Sequence, residues 1–533
     1  MRKSIYWVIL VVLICAGNLS ADTYYVDDSN GNNDWNGTSP VYVGGDIGPF
    51  KTIGQGVQRA ENDDTVIVAD GLYHGEENLQ LYFYHESVTL KSNNGPESCI
   101  LNFYGDEYHW YFNDSANTLI RGFMIRGIRD ENIEIREQST TVIDNCVFEN
   151  NVLDNDYSLI KCNEQGNLKL NDCIFRDNIL NQGSLVKAYG FASLEIHGCE
   201  FTENTSTFDY SMISCGGDCN AIIINTQIDD NWNYRAGEVW GIYCSINANV
   251  KIKACYIINN YSNGSFAGVV CKDGANVIIS GCNISNNWSM EGTYGVNVEG
   301  CGDVDLKTID CIVSDNFAYS SNNCCGIFCE DCNSSEVINC LITGNNGGVR
   351  SYCDEKSTVI NCTIVNNKID YCDGYGIEGN AQVVNCILKD NGNEQLYGRD
   401  IVVSYSDICD YTDHIWPGVG NINADPLFAD VNNGDYHLLS RAGRWDPAAE
   451  LWVRDDVSSP CIASGDPADW IGDEPAGSGG RINMGYFGGT SQASKADYCT
   501  GVLPGDVNRD CLVNFIDFAL MTSDWLGSTI EQP

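Results

Sequence analysis

The middle of the chain repeats one pattern of apolar and polar residues about every 27 positions. Each copy starts with a small residue, has a large apolar residue two positions on and an Asn five positions on. An apolar column next to a mixed one is typical of a strand with one buried face. The first column is Cys146, Cys173, Cys199, Thr226, Cys255, Cys282, Cys311, Cys340, Cys362 and Cys386. The apolar column is Phe148, Phe175, Phe201, Ile228, Ile257, Ile284, Val313, Ile342, Ile364 and Leu388. The Asn column is Asn151, Asn178, Asn204, Asn231, Asn260, Asn287, Asn316, Asn345, Asn367 and Asn391.

A second strand is expected before each motif. Three residues before the motif start the chain has an apolar residue in most copies, with Thr308 as the exception. Eleven residues before the start lies a column of small residues, namely Cys162, Ala188, Cys215, Cys244, Cys271, Cys329 and Ser351. A two-residue insertion before Cys311 is expected to move the cysteine of that copy to Cys301. The intervening loops are rich in Asn, Asp and Gly, which tolerate left-handed backbone conformations.

Short strands without helical periodicity, repeated every 22–29 residues, predict an all-β parallel solenoid. Equivalent residues of successive coils would then form ladders: apolar residues inside, small cysteines beside them, and Asn at a turn. An Asn ladder satisfies its amides by hydrogen bonds from coil to coil. The alternative is a leucine-rich repeat, which would need helical segments on its convex side.

The ends of this region resemble secreted right-handed parallel β-helix proteins of the pectin-lyase-like superfamily. The opening segment 23–76 begins TYYVDDSNGNNDWNGTSP, and the segment 422–440, INADPLFADVNNGDYHLLS, matches the closing part of such proteins. The resemblance implies an N-terminal cap at 22–64 with a helix near 50–60, a β-helix at 65–440 whose first strand is 65–69, and a C-terminal closure at 441–490. The superfamily includes lyases, hydrolases, epimerases and non-enzymes, so the resemblance defines the fold more than the activity.

The N-terminal segment and the net charge indicate where the protein acts and which partners it does not bind. Residues 1–21 combine Arg2 and Lys3 with a short apolar run, which predicts a cleaved signal peptide and a secreted or cell-surface protein. The chain has 73 acidic and 29 basic residues and a net charge of −44. This excess argues against nucleic acid and anionic membrane surfaces as partners. Export permits disulfides among the 27 cysteines.

A calcium loop is expected near the C-terminus, at residues 506–517. The candidate ligands alternate along the loop as hard cations require, and they are Asp506, Asn508, Asp510, Leu512 through its carbonyl, Asn514 and Asp517. With the following helix, the module 504–527 resembles a single repeat of a type I dockerin, joined by a linker at 491–503. The resemblance implies bound Ca²⁺ and a cohesin-type partner. The module departs from the family pattern in having one repeat and Cys511 at the sixth position, where Gly is usual.

Two other groups of residues could bind metal. The cluster Cys324, Cys325, Cys329 and Cys332 has spacing that could ligate zinc, although a loop disulfide and a core role for Cys329 are preferred. The run Asp28, Asn30, Asn32 and Asp34 could hold calcium, although a solvated loop is preferred.

Candidate glycan-contacting residues lie in the first coils. The aromatic stretches 81–85 and 108–112 are expected on successive coils, with about half of their side chains pointing inward. Nearby lie the titratable residues His85, His109, Asp106, Glu107 and Asp114. Lys161 and Lys187 each precede the small column by one residue, so they should stack on one outer face, where a lyase could use them as a base.

The sequence leaves two functions open. One is binding and degradation of an extracellular polysaccharide by a lyase or glycoside hydrolase. The other is a non-catalytic adhesion or structural role for the solenoid. No diagnostic catalytic constellation is evident, and a neutral glycan is as plausible a ligand as an acidic one for so acidic a chain.

Overall fold

The computed structural model describes residues 21–129, 133–154, 157–299, 304–319, 324–368, 374–410, 412, 414–497, 515 and 518. The predicted signal peptide, except its last residue, therefore lies outside the described residues. So do the end of the predicted linker and all six candidate calcium ligands.

Four sheets of parallel strands contain all but four of the strands in the described residues. Sheet 1 has 15 strands: Thr23–Val26, Thr65–Val68, Ser87–Ser92, Asn117–Arg121, Thr140–Asp144, Asn167–Asn171, Ser193–His197, Asn220–Ile224, Asn249–Lys253, Asn276–Ser280, Asp305–Ile309, Ser334–Ile338, Ser357–Ile360, Ala381–Val384 and Val402–Ser404. Sheet 2 has 13: Leu81–Tyr84, Trp110–Asn113, Ile133–Ile135, Ser158–Cys162, Gly183–Tyr189, Tyr210–Gly216, Glu238–Cys244, Ser265–Cys271, Gly292–Val298, Cys325–Glu330, Val349–Tyr352, Tyr375–Gly379 and Glu394–Tyr397.

Sheet 3 has 14 strands: Gly71–Tyr73, Cys99–Asn102, Met124–Arg126, Val147–Glu149, Ile174–Arg176, Glu200–Thr202, Gln227–Asp229, Tyr256–Ile258, Asn283–Ser285, Ile312–Ser314, Leu341–Thr343, Thr363–Val365, Ile387–Lys389 and Asp407–Cys409. Sheet 4 has seven two-residue strands: Val152–Leu153, Ile179–Leu180, Thr205–Ser206, Trp232–Asn233, Tyr261–Ser262, Trp288–Ser289 and Phe317–Ala318.

The chain visits these sheets in a fixed order in every coil. From sheet 1 it passes to sheet 3, then in the middle coils to sheet 4, and returns through sheet 2. Each strand pairs in parallel register with the equivalent strands of the neighbouring coils, as Phe148 does with Phe175. Parallel connections of this kind are right-handed. The protein is a right-handed parallel β-helix, so the fold prediction is confirmed.

The apolar column of the repeat forms the core. The rings of Phe148, Phe175 and Phe201 stack with centroids 4.7 and 4.6 Å apart, and all three are fully buried. The aliphatic members that follow are also buried. Stacking keeps each ring in contact with apolar neighbours on both faces, which stabilises the interior of the solenoid.

The small column lines the inner side of sheet 2, with one correction to the prediction. Cys271 pairs with Val298, and Val298 pairs with Cys329. The expectation that Cys301 fills this place is therefore wrong. Strand pairing continues through Val298, so the extra residues come after this strand, and Cys301 lies outside the described residues.

The predicted Asn ladder is confirmed and runs through ten coils. The Nδ2 atom of each Asn from Asn151 to Asn367 donates to Oδ1 of the Asn one coil on, at 2.8–3.0 Å. Nδ2 also donates to a core-strand carbonyl, as Asn204 does to Phe175 at 2.9 Å. The ladder residues are buried, so these bonds satisfy amides that have no access to water.

A short cap covers the N-terminal end of the solenoid. Helix α1, Ile53–Arg59, begins at Thr52, whose side chain accepts a hydrogen bond from the Gln55 amide. Helix α2, Glu76–Leu79, lies next to it. The predicted cap helix is therefore present, and the first predicted strand is observed at Thr65–Val68.

The last described segment packs on the outside of sheet 3. It contains two antiparallel pairs, Phe428–Asp430 with Asp435–Leu438 and Arg444–Asp446 with Leu451–Val453, and a 3₁₀ helix, Val431–Asn433. Tyr436 packs against Leu341 and Val365, and its hydroxyl lies 2.8 Å from that of Thr343. This segment covers a different side of the coil from sheet 2. Within the described residues, the structure has no helix long and apolar enough to cross a membrane.

Candidate functional site

The outer side of sheet 2 presents one chemically varied residue per coil. The register aligns them in a single column: Tyr82, Tyr111, Glu134, Lys161, Lys187, Ser214, Tyr243, Val270, Asn297, Phe328, Arg350, Glu378 and Tyr397. Each precedes an inward-facing residue, because side chains alternate along a strand. Equivalent positions are one strand spacing apart, about 4.8 Å.

Aromatic rings cluster in the middle coils of this side. The rings of Trp240 and Tyr243 lie 4.7 Å apart, and the Lys272 ammonium lies 5.9 Å from the centre of the Trp240 ring. Further along the axis, the rings of Tyr294 and Phe328 lie 5.3 Å apart. Burial raises the pKa of the Tyr294 hydroxyl far above its ordinary value, so it stays protonated and able to donate.

Two ion pairs accompany the rings. Lys272 Nζ lies 3.2 Å from Glu299, and Arg350 Nε lies 2.6 Å from Glu378. The side chains of Arg350 and Glu378 are only 17% and 13% exposed, so water screens this pair weakly. We define the aromatic–ionic face as the following set: Trp240, Tyr243, Lys272, Tyr294, Glu299, Phe328, Arg350, Tyr352 and Glu378.

Tyr352 completes this face. Its hydroxyl donates a hydrogen bond of 2.7 Å to Glu378. Burial and this bond to an anion raise the pKa of Tyr352 to about 12. Glu378 therefore bridges a guanidinium and a phenol, which fixes the orientation of both donors.

The predicted stacking of Lys161 and Lys187 on neighbouring coils is confirmed by their pairing in register. Glu134 occupies the same column one coil earlier, and its carboxylate lies 3.7 Å from Lys161 Nζ and also pairs with Arg136. Lys161 thus forms an ion pair with Glu134, a contact that it would have to give up to act as a base, which weakens the prediction that it does so.

The two aromatic stretches lie on successive coils, as predicted. Leu81, Phe83, Trp110 and Phe112 point into the core, where the rings of Phe83 and Phe112 stack at 4.7 Å. Tyr82 and Tyr84 are exposed on the outer side, and Tyr82 pairs in register with Tyr111. About half of the aromatic side chains are therefore available to a ligand.

Of the nearby titratable residues, the structure brings His85 and Asp114 together at a turn. His85 Nδ1 lies 2.7 Å from the Asp114 carbonyl, and its Nε2 lies 3.6 Å from the carboxylate. A hydrogen bond to Asp114 raises the pKa of Glu137 in the next coil. The side chains of His85 and Asp114 are well exposed.

The four-cysteine cluster does not form a common site. Cys332 is bonded to Cys353 in the next coil, with Cα atoms 4.5 Å apart, so the preferred loop disulfide is present but with a partner outside the cluster. Cys329 belongs to the core column, as predicted, and its sulfur lies within 4.8 Å of both bonded sulfurs. Cys324 and Cys325 are not part of that sulfur group.

The N-terminal oxygen-rich run forms a tight loop that is stabilised locally. Asn30 donates from both its main chain and its side chain to Asp27, and Asn32 accepts from the Asp34 amide at 2.9 Å. These contacts agree with the preferred interpretation of 28–34 as a solvated loop.

The aromatic–ionic face was missed by sequence reasoning. A usable signal existed, since Tyr243, Phe328 and Arg350 each precede the small column by one residue, the same offset that identified Lys161 and Lys187. Applied to every copy, this offset would have found the central residues of the face.

Comparisons with known proteins give limited similarity. A family model described as "Disaggregatase related" matches residues 317–465, which is less than half of the chain. No curated protein matches.

Among solved structures, pectate lyase Pel9A is 12% identical, with 88% of this chain and 97% of that chain covered and a TM-score of 0.27. A rhamnogalacturonan lyase is 12% identical over 83% and 96%, with a TM-score of 0.29. XylC, in a complex with xylose, is 10% identical over 82% and 93%, with a TM-score of 0.31. The fold assignment rests on the strand register described above.

Proposed function

We propose that the protein binds an extracellular polysaccharide along the aromatic–ionic face. The observation that carries this proposal is the sequence of rings and fixed donors on consecutive coils, from Trp240 through Tyr294 to Glu378. The coil spacing of about 4.8 Å is comparable to the length of one sugar unit in an extended glycan. Successive sugar units would therefore meet successive coils.

The chemistry of the face suits sugar rings. Partly buried aromatic side chains offer apolar surface to the C–H groups of a sugar, while fixed polar groups select its hydroxyls. Arg350 and Tyr352 are held in place by Glu378, so little conformational entropy is lost when they bind a ligand.

The charge of this side differs from that of the whole chain. Five basic residues lie along it, in a protein of net charge −44: Arg136, Lys161, Lys187, Lys272 and Arg350. These cations reduce the local repulsion of a glycan that carries carboxylates, and the aromatic rings can contact a neutral glycan. The binding test therefore includes both neutral and acidic glycans.

A binding role without catalysis is the second candidate. On this side Glu134, Glu299 and Glu378 are each paired with a cation. Glycoside hydrolysis needs two carboxyl groups that are free to act on the sugar, whereas each of these three is engaged by a cation.

Affinity electrophoresis against a panel of neutral and acidic polysaccharides tests the binding proposal. Trp240→Ala and Tyr243→Ala should each weaken retardation about tenfold or more on the glycan that binds. The control is Trp470→Ala, because Trp470 is 80% exposed in the C-terminal segment. Unchanged binding in both face variants, or no retardation on any glycan, would overturn the proposal.

The same panel separates an enzyme from a binding protein. Incubation with and without calcium is followed by assays for unsaturated ends and for new reducing ends. Unsaturated ends indicate a lyase, and new reducing ends alone indicate a hydrolase. Binding without either product supports the non-catalytic adhesion or structural role.

Export, calcium binding and cohesin docking are further parts of the proposed function. They are supported by the sequence of residues 1–21 and by the alternating oxygen ligands of 506–517. A module of this kind would tether the β-helix to a partner scaffold outside the cell. Loss of a calcium-induced rise in melting temperature in Asp506→Ala tests the calcium part.

A further inference from the structure

A cleft of about 770 Å³ lies at the N-terminal end of sheet 2, away from the aromatic–ionic face. Its walls are helices α1 and α2 of the cap and the strand Leu81–Tyr84. That strand is the first of sheet 2, so the cleft lies where the outer side of the sheet meets the cap.

The lining is rich in groups that recognise hydroxyls. Three glutamines line it, Gln55, Gln58 and Gln80, together with the exposed rings of Tyr82 and Tyr84. Amide side chains can donate and accept at once, as a sugar hydroxyl also does. An aromatic wall beside such amides is suited to a ligand that has one apolar face and a polar rim.

The charge of the cleft excludes one class of sugar. Glu76, Glu77 and Glu86 line it, and none of the described residues along its walls is a lysine, an arginine or a histidine. Three carboxylates without a countercharge repel a uronic acid, whereas they accept hydrogen bonds from neutral hydroxyls.

Contacts within the cleft fix its central groups in place. Gln80 Nε2 donates to the Tyr82 hydroxyl at 2.7 Å, and its Oε1 accepts from the His109 amide at 3.0 Å. The Tyr82 ring is within 9° of parallel to the rings of Tyr84 and Tyr111, with centroids 6.0 and 5.7 Å away. The amide and the rings are therefore oriented before a ligand arrives.

We propose that this cleft is a second carbohydrate site, which binds a neutral sugar unit. The inference deepens the proposed function and rests on it for the idea that the ligand belongs to a polysaccharide. Tyr82 and Tyr243 lie in the same outer column, six coils apart. That separation is roughly 30 Å. One long glycan can therefore occupy both sites, and the two contacts then reinforce each other.

Two ligand lengths test the inference. Isothermal titration uses short neutral oligosaccharides of two or three units, matched oligosaccharides that contain uronic acids, and long neutral chains. The wild type should bind the short neutral ligands, and the double variant Gln80→Ala/Tyr82→Ala should bind them at least tenfold more weakly. Trp240→Ala should bind short neutral ligands with at least half of the wild-type affinity if the cleft is a separate site.

The long neutral chain should lose affinity in both the cleft variant and Trp240→Ala. The matched control is Tyr256→Ala, since Tyr256 is 53% exposed on sheet 3, and circular dichroism checks the fold of each variant. Short neutral ligands that bind the double variant as well as the wild type would overturn the inference. So would a cleft that binds Ca²⁺ or uronic acids but no neutral sugar. A different result would contradict the proposed function of the aromatic–ionic face. In that case Trp240→Ala would bind the long neutral chain as well as the wild type does.

Discussion

Asn260 and Asn287 lie one coil apart and are joined inside the solenoid by a side-chain hydrogen bond of 2.9 Å. Asn287 Oδ1 also accepts from the Asn260 main-chain amide at 3.1 Å, and Asn287 Nδ2 donates to the Ile257 carbonyl at 2.9 Å. One side chain therefore satisfies buried groups in two coils. Its removal takes the acceptor from the buried Asn260 main-chain amide and a donor from the Ile257 carbonyl.

Substitution of this Asn should cost far more than substitution of a surface Asn. Asn287→Ala is expected to lower the free energy of unfolding by about 2–3 kcal/mol, since each buried unsatisfied group costs about 1–3 kcal/mol. Urea denaturation monitored by circular dichroism measures the change. The control is Asn249→Ala at an exposed position of sheet 1. Equal effects of the two substitutions would contradict the structural role of the ladder.

Asp407 should make stability depend on pH in the mildly acidic range. Its carboxylate is fully buried, where it accepts from the Ala424 amide at 3.0 Å and from the Cys461 thiol at 3.1 Å. Burial raises the pKa of Asp407 to about 6, above the value of 3.8 expected for the unfolded chain. The folded protein thus holds the proton more tightly, and stability from this group falls as pH rises from about 4 to 6.

Asp407→Asn removes that titration and should stabilise the protein at pH 7 by about 1–3 kcal/mol. The difference between variant and wild type should shrink toward pH 4. Thermal melts at several pH values between 4 and 7 measure it. A wild type that gains stability relative to the variant as pH rises would show that the sign is wrong.

The cysteine column should consist of unreactive thiols. The sulfurs of Cys282 and Cys311 donate to backbone carbonyls at 3.4 and 3.1 Å, and both residues are buried. Burial raises the pKa of Cys146 in the same column to about 12, so the reactive thiolate is scarce at neutral pH.

Alkylation of the native protein with iodoacetamide, followed by peptide mapping, tests this. Column cysteines should stay unmodified until the protein is unfolded, whereas the partly exposed Cys409 should react earlier. A non-reducing digest should contain the linked Cys332–Cys353 peptide pair. Recovery of a Cys282–Cys311 disulfide from native protein would contradict the thiol ladder.

The calcium loop predicts a calcium-dependent change in the C-terminal module. Calcium should raise the melting temperature of the module in the wild type, and Asp506→Ala should abolish the rise because it removes the first ligand. Asp28→Ala, in the other oxygen-rich run, is the control and should leave the rise intact. Melts in excess calcium and in chelator provide the comparison. A wild type without a calcium-induced rise would mean that 506–517 is not a site.

The stacked columns of Phe and Asn could be predicted from sequence because the same residue type recurs at the same position in successive repeats. Phe175 and Asn178 keep the same spacing in their neighbouring copies, and parallel strands convert that spacing into contact. Cys301 was misplaced because counting back from a motif cannot distinguish an insertion in a strand from one in a turn. The strand pairing of Cys271 with Val298 shows which residue occupies this position, and that pairing is visible only in the structure.

The candidate site was harder to predict because its residues do not recur. Outward positions of sheet 2 change from Lys187 through Val270 to Arg350, so no column of one residue type appears along the chain. The pairing of Arg350 with Glu378 depends on an interaction between coils. The partner of Cys332 was equally hidden, since Cys353 lies 21 residues on, within the next coil.

The strictly parallel register has a consequence for how such a molecule can change. In the described part of the chain, the strands of the four sheets pair in order with equivalent strands of adjacent coils, so gain of one complete repeat would add one rung to every ladder. A duplication between Tyr111 and Tyr243 would move the cap cleft and the aromatic–ionic face apart by about 4.8 Å. The number of coils between the two surfaces thus sets the distance between them. Gain or loss of a repeat during evolution would change that distance in steps of about one sugar unit.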